Sequence, residues 1–209
     1  MTRKLVIATN NRGKLREFER LLEGCGFDLV TPRDLGLDWE VEETGTTFEA
    51  NAKLKAVDAA RVSGLLALAD DSGLEVDHLG GRPGIFSARY AGGNKTSATI
   101  TEAEQLSLLL GEMSGVPDEQ RSARFRCVIA IAEPDGAVRT VDGVFEGRIA
   151  HEPRGENGFG YDPIFLVPGR GVTSGELDPE TKNAVSHRGQ AARKAREILR
   201  KMAGGDSTA

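Results

Sequence analysis

Residues 4–31 read KLVIATNNRGKLREFERLLEGCGFDLVT, and the succession of patterns within them decides the fold class. Lys4 to Thr9 is a short apolar run, the signature of a buried first strand. Arg12 to Glu23 then places Leu15, Phe18, Leu21 and Leu22 on one helical face. Gly24 and Gly26 stop that helix, and Phe27 to Thr31 reads as a second short strand. Strand, helix and strand in this order predict an α/β sheet.

The pattern continues outward. A polar, acidic loop runs through Glu42, Glu43 and Gly45. Thr46 or Thr47 can cap a second helix to about Val62, with Phe48, Ala52, Ala56, Ala59 and Ala60 as its apolar stripe and Gly64 as its stop. Leu65 to Ala69 predicts a buried strand, and Gly73 to Gly84 a hairpin and loop. Thr101 to Met113 is helical. Arg124 to Ala132 predicts a strand that returns through Pro134-Asp135-Gly136 as Val138 to Ile149. A basic helix closes the chain from Ala184 or His187 to Met202, and Gly204 to Ala209 is a polar tail expected to fray. The hairpins in the second half predict a long mixed sheet flanked by helices.

Composition narrows the function. The 209 residues suffice for one large domain or two packed lobes, and 39% hydrophobic with 28% charged residues fits a folded, soluble chain. A formal charge of -5 argues against a nucleic-acid or membrane partner, while leaving room for a small basic pocket for one polyanion. The run Leu5 to Ala8 is too short for a signal segment or a membrane span. Cys25 and Cys127 are isolated, which makes a cytoplasmic location with reduced thiols the expectation.

Five stretches can carry chemistry. Thr9-Asn10-Asn11-Arg12-Gly13-Lys14 joins a strand to a helix, where free N–H groups and Lys14 suit a phosphate. It lacks the glycine and Ser/Thr of a P-loop and also reads as a plain capped turn. Asp70-Asp71-Ser72-Gly73 sets two carboxylates side by side at the end of an apolar strand. Such a pair is costly unless exposed or neutralised by a cation, for which magnesium is the natural choice; an Asx turn is the alternative. Glu40, Glu42 and Glu43 form either a solvated surface or a second carboxylate donor to the same metal.

Gly155-Glu156-Asn157-Gly158-Phe159-Gly160-Tyr161-Asp162-Pro163 combines glycines, which allow close backbone approach, with aromatics able to stack on a base or pack into the core. Lys182 and Arg188 supply charge ahead of the last helix, and His187 and Arg188 can donate to a carbonyl oxygen. Lys53 and Lys55 on the second helix read as a further phosphate contact or as a solvated lysine face, the latter chiefly for Lys53. His78, His151 and His187 are too scattered to predict a zinc site.

Taken in order, these runs resemble one family, the inosine/xanthosine triphosphate pyrophosphatases. The matching stretches are TNNRGK with Glu17 after it, EETGTTFEANAKLKA from Glu42, ADDSGLEVDHLGGRPGIFSARYAG from Ala69, RFRCVIA from Arg124, ENGFGYDPIF from Glu156 and KNAVSHRGQA from Lys182. The resemblance implies an α/β domain of two lobes around a substrate cleft, a homodimer, and magnesium-dependent hydrolysis of ITP, dITP and XTP to monophosphate and pyrophosphate. It implies that Thr9, Asn10 and Lys14 hold phosphates and that Asp71 is the catalytic carboxylate with Ser72 beside the substrate. One of Glu42 and Glu43 would share the metal. Phe159, Gly160, Tyr161 and Asp162 would line the base and sugar pocket, and Lys182, His187 and Arg188 would close it. The chain departs from the family at Ala50, where Glu is usual, at Asn157, where Gly is common, and at Gly175, where Ala is common.

The expected mechanism joins these pieces. Magnesium on Asp71 and a loop glutamate neutralises the triphosphate, and Asp71, or Asp70 through the same water shell, holds the attacking water. Lys14, Lys55 and Lys182 stabilise the leaving pyrophosphate. Selectivity lies at purine position 6, where donors pair with a keto oxygen and mismatch an amino group.

Overall fold

In the computed structural model, residues 3–91 and 101–204 are described. Strand β1 (Arg3–Ile7) leads through the polar loop into helix α1 (Arg12–Leu21) and strand β2 (Phe27–Val30). Helix α2 (Phe48–Ser63) begins at Thr47, whose side chain accepts from the Ala50 N–H, and ends at Gly64 in the left-handed conformation. Strand β3 (Leu66–Val76), helix α3 (Glu102–Glu112) and the hairpin strands β4 (Ser122–Ala132) and β5 (Val138–Ile149) follow. The short strand β6 (Phe165–Leu166) precedes helices α4 (Pro179–Val185) and α5 (His187–Gly204).

One six-stranded sheet has the order β2-β1-β3-β4-β5-β6. Strand β1 pairs in parallel with β2 and β3, and β5 pairs antiparallel with β6, so the sheet is mixed as the sequence predicts. The turn between β4 and β5 closes with Gly136 at φ 95, a conformation that favours glycine. Among the described residues, no helix is long and apolar enough to cross a membrane.

Two compact units divide the chain, with breaks after Asp71, Arg126, Gly143 and His187. The first has a core of Leu5 and Ile7 from β1, Phe18 and Leu22 from α1, Leu68 from β3, Ile129 and Ile131 from β4, and the small face of α5 made by Ala191, Ala192 and Ala195 with Leu199. The predicted stripes of α1 and α2 are the buried faces: Leu15 and Leu21 pack against this core, and Phe48, Ala52, Ala56, Ala59 and Ala60 are all buried. The second unit gathers Leu74, Val76, Leu109, Met113, Phe125, Phe145, Tyr161, Ile164 and Phe165. Here Arg121 acts as a staple, donating to the carbonyls of Met113, Val116, Ile149 and Ala150 at 2.7 to 3.2 Å.

Two expectations change. Strand β3 does not end at Ala69 but runs through Asp70, Asp71, Ser72 and Gly73 to Val76, where a hairpin and loop were expected. Leu74 and Val76 are fully buried and continue the period-2 pattern, so the strand gains more from extension than from stopping at the carboxylates. The helix α4 is additional; Asp178 caps it by accepting from the Thr181 N–H, and Pro179 sits at its first position. Of the tail expected to fray, Gly204 closes α5 and residues 205–209 lie outside the described residues.

Candidate active site

Strand β3 decides the geometry of the first unit. Consecutive residues on a strand point to opposite faces, so Asp70 and Asp71 cannot share one environment. The Asp70 carboxylate is fully buried and meets Lys14 Nζ at 3.0 Å. It also meets Arg188, through NH2 at 3.1 Å and Nε at 3.4 Å, and the Cys127 thiol at 3.8 Å. Arg188 in turn reaches Glu17 at 2.6 Å. Burial alone would raise the proton affinity of Asp70, but Lys14, Arg188 and Lys55 outweigh it and hold the group ionised, far below the usual carboxylate range. Burial beside the same carboxylate pushes the Cys127 thiol up, so it stays protonated and inert.

Asp71 faces a different group. Its Oδ2 accepts from Asn51 Nδ2 at 3.2 Å, and its Oδ1 lies 3.4 Å from Lys55 Nζ. Lys55 reaches onward to Glu43 at 2.6 Å. Burial raises the Asp71 pKa, the charges of Lys55 and Lys14 oppose this, and Glu43 adds to it. The Lys55 ammonium, although buried, is held charged by Asp71, Asp70 and Glu43. Of the acidic pair in the loop, Glu43 is the residue tied to Asp71 through Lys55, while Glu42 is exposed.

The sequence pattern alone does not single out Asn51. It is fully buried, and its amide faces two ways: Nδ2 donates to Asp71, and Oδ1 accepts the Gly45 N–H at 2.8 Å. A Cβ at Gly45 would stand 2.5 Å from that Oδ1, so the acidic loop closes directly onto Asn51. An asparagine four residues into a helix that otherwise buries alanines was the available signal. Ala50, at the departure from the family pattern, borders the same glycine, whose Cβ would lie 2.8 Å from the Ala50 Cβ.

The loop before α1 is built as a cap. Asn11 Oδ1 accepts from the Lys14 N–H at 3.0 Å, Thr9 Oγ1 accepts from the Asn11 N–H at 3.2 Å, and Asn10 Nδ2 donates to the Trp39 carbonyl at 3.4 Å. Gly13 is buried, Arg12 is exposed, and Lys14 keeps 14% of its side chain exposed. The Lys14 ammonium has three donors, of which the Asp70 oxygen takes one.

In the second unit the aromatic loop folds around Asp162. Its Oδ2 accepts the Phe159 N–H at 2.8 Å and lies 2.5 Å from Lys182 Nζ. The Lys182 ammonium also sits 4.9 Å from the centre of the Phe159 ring. Phe159 and Gly160 are half-buried. His187 is 5% exposed and stacks on Phe125 with ring centres 4.8 Å apart. Ser72, half-buried on β3, belongs to this unit.

Three settings differ from expectation. Tyr161 is in the core, its hydroxyl donating to the Ser87 carbonyl at 3.1 Å, because its apolar neighbours Ile164 and Phe165 draw it inward. Arg188, expected beside His187 as a donor to a base, belongs to the other unit and is engaged by Glu17 and Asp70. Lys182, expected to meet polyphosphate charge, is paired in the interior with Asp162.

A magnesium ion fits the first group of residues by chemistry. Asp71 and Glu43 offer hard oxygen donors, the charge of Glu43 raises the proton affinity of Asp71, and magnesium commonly takes one or two carboxylates with phosphate oxygens and water. Among the described residues, no cluster of three or more His, Cys, Asp or Glu side chains stands ready for a metal.

Comparison with known proteins places this geometry in a family. The model of the Ham1 family matches residues 5–198. The dITP/XTP pyrophosphatase of Desulforamulus reducens is 54% identical over 199 residues, covering 95% of this chain and 96% of that protein. The dITP/XTP pyrophosphatase of Bacillus subtilis is 47% identical, covering 94% and 97%. A solved HAM1 protein from Coxiella burnetii aligns with a TM-score of 0.83 at 46% identity, covering 94% of this chain and 98% of that one. The Ham1 protein of Staphylococcus aureus gives 0.82 at 40% identity, covering 96% and 100%. On the family match and on these relatives, the chain belongs to the Ham1 family.

Proposed function

We propose that this chain is a magnesium-dependent pyrophosphatase that hydrolyses dITP, ITP and XTP to the monophosphate and pyrophosphate, as a cytoplasmic homodimer. The naming of its relatives as dITP/XTP pyrophosphatases supports the reaction. The observation that carries it is the division of labour on β3. Asp70 is held ionised by Lys14 and Arg188, while Asp71 is oriented by Asn51 and Lys55 beside Glu43.

In this reading Asp71 and Glu43 hold the magnesium ion, which supplies charge neutralisation at the phosphate oxygens. Asp71 orients the attacking water and accepts its proton. Asn51 and Lys55 fix the rotamer of Asp71. Lys14 and the Thr9–Asn10 turn meet the phosphates, with Lys14 positioned by its bond to Asp70. Attack at the α-phosphorus breaks the bond to the bridging oxygen, and pyrophosphate leaves with that oxygen. Phe159 stacks on the base, and His187 donates to the keto oxygen at purine position 6. Replacing Asp71 with Asn tests the assignment: turnover should vanish while nucleotide binding remains, and near-normal turnover would remove Asp71 from the mechanism.

A further inference from the structure

Lys182 lies in the last turn of α4, and both it and Asp162 are almost wholly inside the second unit, with side chains 5% and 3% exposed. A buried ammonium is costly unless paired, and here it is paired at 2.5 Å. The same Asp162 oxygen accepts the Phe159 N–H at 2.8 Å. Gly158 has φ +80, and a Cβ there would lie 2.1 Å from that oxygen, so the loop backbone rests on the carboxylate and admits only glycine. The ammonium lies 4.9 Å from the centre of the half-buried Phe159 ring. One carboxylate thus fixes the loop backbone and the cation that covers the ring.

We propose that Lys182 is a positioning residue for base recognition: held by Asp162, it orients and polarises the Phe159 ring for stacking on a purine, and it does not contact the polyphosphate. The inference rests on the reading of Phe159 as the base-stacking residue. A cation against one face of a ring draws π-density toward itself. The opposite face becomes a better partner for an electron-rich purine carrying keto oxygens. Lys182 therefore acts through Phe159, and its contribution requires a base.

The test compares ITP with ribose 5'-triphosphate, which carries the phosphates without the base, and adds calorimetric binding of inosine 5'-monophosphate. Two variants are made: Lys182→Met alone, and Lys182→Met with Asp162→Asn, which keeps an acceptor for the Phe159 N–H and leaves no buried unpaired charge. The expected result is a rise in KM for ITP and in Kd for inosine monophosphate of about three- to thirtyfold, the span of a desolvated cation–π contact. The loss should be much smaller for ribose 5'-triphosphate, and it should disappear in a Phe159→Ala background. Equal losses on both substrates, or a loss that persists without Phe159, would show direct phosphate contact and overturn the proposal. Unchanged ITP KM and inosine monophosphate Kd in both variants would overturn it as well. If the wild-type protein binds inosine monophosphate but turns over no nucleotide, the catalytic reading fails and the binding comparison still decides the role of Lys182. If it binds no purine nucleotide, both fall.

Discussion

Asp70 and Asp71 are neighbours on one strand and hold opposite electrostatic positions: Asp70 meets Lys14 at 3.0 Å and Arg188 at 3.1 Å, whereas Asp71 is held by Asn51 at 3.2 Å and Lys55 at 3.4 Å. The first is pushed down in pKa and the second up. Paired carboxylates with separated proton affinities are how one site keeps a fixed charge beside a group able to move a proton.

Asp70 should therefore be a stability residue as much as a functional one. Asp70→Asn removes the buried counter-charge that Lys14 meets and leaves Arg188 with Glu17, a loss of about 3 to 5 kcal/mol for a broken buried pair. The sign of its pH dependence follows from its lowered pKa. The contribution is present above the unfolded value near 4 and is lost as pH falls toward the folded value. Asp71, raised, contributes in the opposite sense, favouring the fold at low pH and losing that effect as pH rises through its folded value. Chemical denaturation between pH 2 and 7 should show a flatter acid limb in Asp70→Asn than in the wild type.

Asn51 should matter to the rate. Asn51→Leu leaves an Asp71 oxygen and the Gly45 N–H without a partner, costing about 1 to 3 kcal/mol. We expect kcat for dITP to fall more than KM rises, because the residue orients Asp71. Gly45→Ala should act in the same direction, since its Cβ would meet the Asn51 oxygen at 2.5 Å. Unaltered kcat in both variants would remove the coupling between the acidic loop and Asp71.

Arg121 should matter to stability alone. Its guanidinium bonds four backbone carbonyls, and Arg121→Met removes all four of these bonds. A loss of about 3 kcal/mol or more is expected, read as a lower denaturation midpoint with kcat preserved in the folded fraction.

Much of this was legible in the sequence because periodicity reports burial. The stripes of α1 and α2 and the hairpin at Pro134-Asp135-Gly136 need only local information. The sequence predicts an end to β3 at Ala69 because the aspartates look like a stop; they are tolerated by Lys14, Lys55 and Arg188, which come from distant parts of the chain. Arg188 reads from the sequence as a donor to the base for the same reason, since its partners Glu17 and Asp70 lie 171 and 118 residues away. Tyr161 and Lys182 carry polar tips that suggest a ligand, but each has an interior partner: the Ser87 carbonyl and Asp162. Asn51 carries little signal in the sequence, since a lone amide in an alanine-rich helix declares its importance only through both its bonds.

The most direct measurement is pyrophosphate release from dITP, XTP, dATP and dGTP, each with and without magnesium. The account predicts magnesium-dependent release of one pyrophosphate per monophosphate from dITP and XTP, with little from dATP and dGTP, and loss of that release in Asp71→Asn. Release of inorganic phosphate in place of pyrophosphate, equal turnover of all four nucleotides, or full activity without magnesium would contradict it.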